Sequence, residues 1–338
     1  MTTRSSCRQE GRAVCPSRPG PDASRRRSSA HSSSWSPRPA GPAIPSPNSP
    51  RGGGSGKGEA ITIGQFSWTG AAVQTQILKL ITEQHPELGV GSVDTKQLDP
   101  APGWIGMQKG DIDVMPEVNL PNQQPFVDKA KSETSLVSKT YGGATQGWFV
   151  PKYLVSKGGA AEGLTSVDQL KDKKWADAVG GKLYDSDAGW VTTKQNDKRI
   201  KGFNLAITHS PSSEAATLAQ IKRSYQRKEP VLAYLYHPHW VFEKYDLVQL
   251  KEPKPYQTGC FEGSENDCAI PTLSAYVGAR KDLKERAPKY YAMLQKFNIS
   301  LTDVEKLLAQ QQDSNASPEK IAKEWVAANQ STIDSWIK

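Results

Sequence analysis

No stretch of this 338-residue chain approaches the roughly 18 consecutive apolar residues that a membrane-spanning helix needs. No Gly-x-Ser-x-Gly, no His-Glu-x-x-His and no phosphate-cradling Gly-rich loop between a strand and a helix is present. The usual sequence signs of a serine hydrolase, a zinc protease and a nucleotide-binding enzyme are therefore missing. Gly54-Ser-Gly-Lys57 imitates part of a phosphate loop but has no strand before it. Cysteine is sparse, at four residues, and none forms Cys-x-x-Cys or lies near a His pair, which argues against a metal centre. No internal period of 20–50 residues points to a repeat architecture.

Charge is also absent where it would matter for a nucleic-acid partner. The chain carries a formal +8. Residues 1–58 hold nine Arg and Lys57 against Glu10 and Asp22, which accounts for all of it. The remaining 33 basic and 33 acidic residues cancel. The part expected to fold thus has no electrostatic footprint for nucleic acid. Residues 1–58 are rich in Ser, Pro, Arg and Gly and nearly devoid of apolar side chains, so they are expected to be a disordered tail. The tail lacks the 7–15-residue apolar stretch of a secretory signal. A transit peptide, or upstream sequence translated from a misplaced start codon, are the alternative readings.

Turning to what is present, Cys260 and Cys268 bracket a Gly-, Ser- and Asn-containing loop that is easily closed. A disulfide in an oxidising compartment is expected there, with free thiols or half a metal site as alternatives. His237-x-His239 places two imidazoles on one side of an extended chain, but Pro238 intervenes and a third ligand is missing. No metal, no cofactor and no covalent chemistry are expected.

The order of elements is that of an α/β protein. Ala60–Gly64 reads as a strand and Ala71–Glu83 as a helix, with Val73, Ile77, Leu80 and Ile81 at helical spacing. Gly89–Leu98 is a second strand. Trp104–Lys109 is a helix that stops at Gly110, and Asp111–Met115 is a third strand running into a loop at Pro116–Pro121. This succession predicts a largely parallel sheet. Further strands are expected at Gln146–Val150, Lys182–Asp185, Val231–Tyr236, Leu247–Leu250 and Thr272–Gly278. Helices are expected at Thr165–Leu170, Ser213–Arg227, Ala287–Phe297, Asp303–Gln312 and Pro318–Ile337.

Aromatic placement carries the functional reading. Tyr234, Tyr236 and Trp240 gather where an apolar strand is stopped by His237-Pro238, and strand ends are where open α/β sheets bind ligands. Trp68, Trp190 and Tyr236 all fall after expected strands. Tryptophan offers the best face for a cation, at ~0.5–2 kcal/mol per contact, so three such faces suit a methylated ammonium that has no N–H to donate. Trp148, Trp175, Trp325 and Trp336 are assigned to packing and Trp104 is left open; Glu117, beside the first-lobe loop, either faces a cation or is solvated, with solvent the preferred reading.

These motifs together resemble the substrate-binding proteins of glycine betaine/proline-type ABC importers over residues 60–338. The resemblance is carried by Gly110-Asp-Ile-Asp-Val-Met-Pro-Glu-Val-Asn-Leu-Pro121, Ser166-Val-Asp-Gln-Leu170, Ala188-Gly-Trp190, Pro230–Trp240 with Tyr245–Leu250, and the helical C-terminus. It implies a two-lobed type II periplasmic-binding-protein fold that closes on a ligand between its lobes. Lobe 1 would hold 59–147 plus 275–338, and lobe 2 would hold 148–274. It implies an extracytoplasmic, monomeric protein that passes a quaternary-ammonium or zwitterionic solute to membrane permease subunits. Another small amino-acid-like ligand, or an enzyme on the same fold, are the alternatives. Carried over by residue, Trp190 and Tyr236 are walls of an aromatic box, and the backbone N–H groups of Val191 and Thr192 receive a carboxylate. His237 adjoins them. Asn119 stands where relatives commonly have Trp, so either Trp68 supplies the third wall or Asn119 addresses a polar group of the ligand.

Overall fold

The computed structural model describes residues 58–338. The expected disordered tail, with Cys7, Cys15 and the Gly-Ser-Gly-Lys segment, lies outside the described residues. The strands are β1 (Glu59–Phe66), β2 (Val90–Leu98), β3 (Val114–Leu120), β4 (Thr134–Ala144), β5 (Gln146–Pro151), β6 (Lys182–Asp185), β7 (Thr208–Pro211), β8 (Leu232–Tyr236), β9 (Leu247–Gln249) and β10 (Leu273–Arg280). The helices of the first part are α1 (Thr69–Gln84), α2 (Pro100–Lys109), α3 (Gln124–Ala130), α4 (Lys152–Val155), α5 (Lys173–Ala178), α6 (Val191–Gly202), α7 (Glu214–Arg227) and α8 (Val241–Lys244). Five more close the chain: α9 (Leu283–Arg286), α10 (Pro288–Lys296), α11 (Leu301–Ser314), α12 (Pro318–Ala328) and α13 (Gln330–Ile337).

Two five-stranded sheets define the two lobes, in the orders β2-β1-β3-β10-β4 and β7-β6-β8-β5-β9. The two share one plan. Three parallel strands come first, β2-β1-β3 or β7-β6-β8, and then an antiparallel strand delivered from elsewhere in the chain. β10 joins β3 to β4 in the first sheet, and β5 joins β8 to β9 in the second. Each sheet is therefore mixed, not largely parallel. The strand–helix–strand rhythm at 60–115 gives the parallel half, but the antiparallel strands come from segments far away in sequence. The chain leaves the first sheet at Ala144 and enters the second at Gln146, with Thr145 between, and returns to the first sheet at Leu273.

Local chemistry explains most boundaries. Ile61 and Ile63 are buried in β1, and Val73, Ile77 and Ile81 form the buried stripe of α1. α2 ends at Gly110, which takes the left-handed conformation (φ 82°) that lets its N–H cap the carbonyls of Gly106 and Met107. Ser166 and Gln169 form a reciprocal capping box at the start of a short 3₁₀ helix. Several expectations fail. Pro116–Leu120 continues β3 in place of a loop, because β10 pairs with Val118, Asn119 and Leu120. The segment 318–337 breaks at Asn329 into α12 and α13.

One apolar cluster packs α1 and α10–α13 on the first sheet. A second runs across the seam between the lobes. It joins Phe66, Trp68, Trp104 and Met115 to Trp148, Leu183, Trp190 and Tyr234. Trp148, Trp104 and Trp336 are core residues. Trp104 ties its indole N–H to Gln123 Oε1 at 2.8 Å. Trp175 and Trp325 are half-buried against these cores.

Candidate functional site

Trp68 sits in the two-residue link between β1 and α1, in the first lobe. Trp190 precedes α6 as its N-cap residue, and Tyr236 is the last residue of β8, both in the second lobe. Their rings meet. Trp68 and Trp190 are edge-to-face at 5.3 Å and 82°, and Trp190 and Tyr236 at 5.8 Å and 68°. Such T-shaped pairs are worth ~0.5–1.5 kcal/mol each beyond burial. Phe66 stacks behind Trp68 at 4.5 Å, and Tyr234 behind Tyr236 at 6.2 Å.

These rings wall a cavity of about 50 Å³. That is several times the ~10–15 Å³ a single water requires, so the space suits a compact solute. All seven candidate residues line it: Trp68, Asn119, Trp190, Val191, Thr192, Tyr236 and His237. Trp240 does not. It faces a separate cavity behind the site, with Glu214 and Leu308. Tyr234 does line the site. No Lys or Arg is among the lining residues, and Glu117 is the acidic one.

The polar groups divide into spent and available ones. Thr192 Oγ1 accepts from Asn122 Nδ2 at 2.7 Å across the lobes and donates to Gln146 Oε1 at 3.2 Å. Gln146 Oε1 also accepts the Tyr234 hydroxyl at 2.7 Å. The Thr192 side chain is thus committed to structure. Val191 and Thr192 begin α6, whose N-cap residue contributes no side-chain cap. Their backbone N–H groups have no acceptor within the helix and carry the positive end of its dipole toward the cavity. The ring of His237 is engaged by Glu305 at 3.1 Å and stacks on Phe242 at 4.0 Å. His239 is buried and bonded through one ring nitrogen. Its Nδ1 accepts the Val241 N–H at 3.1 Å, so the ring proton sits on Nε2, 3.5 Å from Glu214 Oε1. Among the described residues no group of three metal-capable side chains occurs. Cys260 and Cys268 are joined as a disulfide.

Two carboxyl groups are set here, Glu214, which sequence reasoning missed, and Glu117, for which it preferred solvent. Glu214, the first residue of α7, reaches across the seam. Its Oε2 accepts the Thr69 N–H at 3.0 Å and the Thr69 hydroxyl at 2.5 Å, and its Oε1 accepts the Tyr236 hydroxyl. Burial pushes Glu214 up, but His239, Thr69 and Tyr236 outweigh it and hold the carboxyl below its ordinary range. Glu117, expected in solvent, is 2% exposed on β3. Burial pushes it up to about 7, and the Tyr141 hydroxyl bonded to its Oε1 only partly offsets this. β3 continues past Pro116 between two other strands and is buried from Val114 to Val118, so Glu117 is covered with it.

The seam is held shut by a second relay. Trp190 Nε1 donates to Ser67 Oγ at 2.7 Å, and Ser67 Oγ donates to Asp99 Oδ1 at 2.9 Å. Aromatic walls from two lobes, closed over a cavity by bonds between them, describe a capture site for a small solute. A family model, the substrate-binding domain of the ABC-type glycine betaine transport system (OpuAC), matches residues 59–328.

The chain belongs to this family.

Substrate-binding domains of this family serve transport. Among characterised relatives, the chain is 30% identical over 155 residues to the glycine betaine/carnitine transport binding protein GbuC of Listeria monocytogenes, a match covering 45% of this chain and 47% of that protein. It is 24% identical over 315 residues to the glycine betaine/proline betaine-binding periplasmic protein of Salmonella typhimurium, covering 83% and 90%. In fold it is similar to lactococcal OpuAC in its closed-liganded conformation with glycine betaine (TM-score 0.67, 22% identity, 83% of this chain and 100% of that one). It is also similar to a choline-binding protein in complex with choline (TM-score 0.68, 20% identity, 82% and 91%). The match to GbuC spans about half of that relative's length. No helix among the described residues is long and apolar enough to cross a membrane.

Proposed function

We propose that this member of the OpuAC family captures a quaternary-ammonium or zwitterionic solute of the glycine betaine or proline betaine kind and passes it to the permease of an ABC importer. The observation that carries the reading is the meeting of Trp68, Trp190 and Tyr236, from both lobes, around a cavity with no Lys or Arg in its wall. A methylated cation is weakly hydrated and binds π-faces without needing a counter-charge. The N–H groups of Val191 and Thr192 receive the carboxylate of a zwitterion. Trp68 takes the wall position that Asn119 leaves open. The affinity is spent on holding the lobes together, and the closed face is what the permease reads. The protein acts as an extracytoplasmic monomer, with no covalent step, and its lobes divide at 147/148 and 274/275.

The test is a thermal-shift panel of glycine betaine, proline betaine, choline, carnitine and proline. A ligand at 100 times its Kd stabilises the folded state by ~2.7 kcal/mol. A panel in which no onium compound raises the unfolding midpoint, while a neutral or anionic amino acid does, overturns the assignment.

A further inference from the structure

The floor of the cavity holds polar atoms that an aromatic box does not use. Glu117 Oε1 accepts the Tyr141 hydroxyl, but Glu117 Oε2 has no hydrogen-bond partner. Trp68 Nε1 and the Gln74 amide, also buried, face this carboxyl as donors and lower its proton affinity, but make no close hydrogen bond to it. Gln74 is wholly buried. Trp68, Glu117 and Tyr141 all line the cavity. Buried polar atoms in native proteins are nearly always paired, so a cluster of this kind at a binding site asks for a ligand atom. The contrast with Glu214 is informative, because both of its oxygens are already taken.

We propose that Glu117 selects, among onium solutes, those that carry a hydrogen-bond donor, an N–H on the cationic nitrogen or an O–H beside it, by accepting that donor at Oε2. The proposal rests on the aromatic-box reading above and narrows it. A fully methylated betaine has no donor to offer and leaves Oε2 unpaired. Choline offers an O–H, and N,N-dimethylglycine an N–H.

Selection is linked to a proton. Glu117 is faced by the Tyr141 hydroxyl from β4, Trp68 Nε1 and Gln74 from the start of α1, and the negative charge of Glu214 on α7. Tyr236 on β8 is coupled to it, and His237 lines the same cavity. No lysine or arginine is among the lining residues, so burial keeps Glu117 protonated up to about 7. An arriving cation with a donor stabilises the carboxylate, and the carboxyl proton passes to solvent.

The experiment is titration calorimetry on the intact chain with choline, N,N-dimethylglycine and glycine betaine. It is run at pH 6, 7 and 8 in two buffers of different ionisation heat. Donor ligands are expected to release about half a proton at pH 7 and to bind ~tenfold more weakly at pH 6 than at pH 8. Glycine betaine is expected to show less than about a threefold change. Glu117→Gln is expected to shrink the preference for donor ligands over betaine by ~tenfold or more, the scale of one charge-assisted hydrogen bond. Preference for choline alone assigns the donor as O–H, and for dimethylglycine alone as N–H. The proposal is overturned if glycine betaine releases the same proton as the others, if no proton is released, or if the preference survives in Glu117→Gln. The proton count uses the unaltered protein, so a poorly folding variant does not spoil the test. If none of the three binds, the aromatic-box reading itself fails. If betaine binds and donors gain nothing, only Glu117 has been misassigned.

Discussion

Replacing Trp190 tests the box and the latch separately, because this one indole serves both. Its ring contacts Trp68 and Tyr236 at 5.3 and 5.8 Å, and its N–H bonds Ser67 across the seam at 2.7 Å. Trp190→Ala removes a cation–π face (~0.5–2 kcal/mol), two edge-to-face pairs (~0.5–1.5 each) and one hydrogen bond (~1). The pair with Trp68 and the bond to Ser67 exist only when the lobes meet, so their loss lowers the closed population and with it the apparent affinity, whereas the pair with Tyr236 lies within the second lobe and is present in either state. The cation–π face and these two cross-lobe terms total ~2–4.5 kcal/mol, which corresponds to a Kd raised about 30- to 1600-fold. Trp190→Phe keeps a π-face and an edge but loses the N–H, so it should cost ~1 kcal/mol, or about fivefold. Calorimetry with the tightest ligand of the panel measures both, and circular dichroism checks that the fold is intact. If Trp190→Ala binds within threefold of the unaltered protein, the wall is elsewhere. If Phe and Ala cost the same, the Ser67 bond and not the ring face carries the effect.

Two further outcomes follow from the same geometry. Gly189 lies where an added Cβ would sit 1.8 Å from Asp99 Oδ2, against the carboxylate that anchors Ser67. Gly189→Ala should therefore hold the seam open and weaken ligand binding ~tenfold, ~1.4 kcal/mol, with little change in the unfolding midpoint without ligand; unchanged affinity would show that Asp99 swings aside freely. Glu117 ionises near 4.5 in the unfolded chain and near 7 in the fold, so between these values the folded state keeps a proton that the unfolded state has lost. Stability then falls as pH rises through that window, by up to ~3 kcal/mol, and Glu117→Gln should flatten the fall in urea unfolding at pH 5 and pH 8. A variant with the same pH slope as the unaltered chain would show that Glu117 is not the group responsible.

What the sequence made legible follows from how local each cause is. The strand–helix alternation at 60–115, the Gly110 stop and the Ser166–Gln169 box are written within a few residues, and the elements are there. So are the seven candidate residues, which the fold brings to one cavity. The antiparallel strands were less readable, because β10 has no pattern that declares β3 and β4 as its neighbours. β4, β7, α3, α4, α5, α6 and α8 were missed as elements. β4 mixes polar and half-buried residues with two glycines, and α6 reads as Lys, Gln, Asn and Asp with little apolar rhythm. Glu117 was placed in solvent because an acidic residue after a proline reads as a turn. Only the register with β10 reveals that the strand continues and turns the carboxyl inward. Glu214 was hidden for a related reason, since its partner Thr69 is 145 positions away.

The position of β10 has a consequence for how this protein comes into being. It is the plank between β3 and β4, yet it is nearly the last strand-forming stretch to be synthesised. Until residue 280 has left the ribosome, β4 has no neighbour in its own sheet, and the earlier lobe stays unfinished while the later one is being made. The second lobe draws all its strands from one continuous segment and has them by residue 249, whereas the first lobe must wait for β10. In a nascent chain of this design the lobe begun first is the one that sets last.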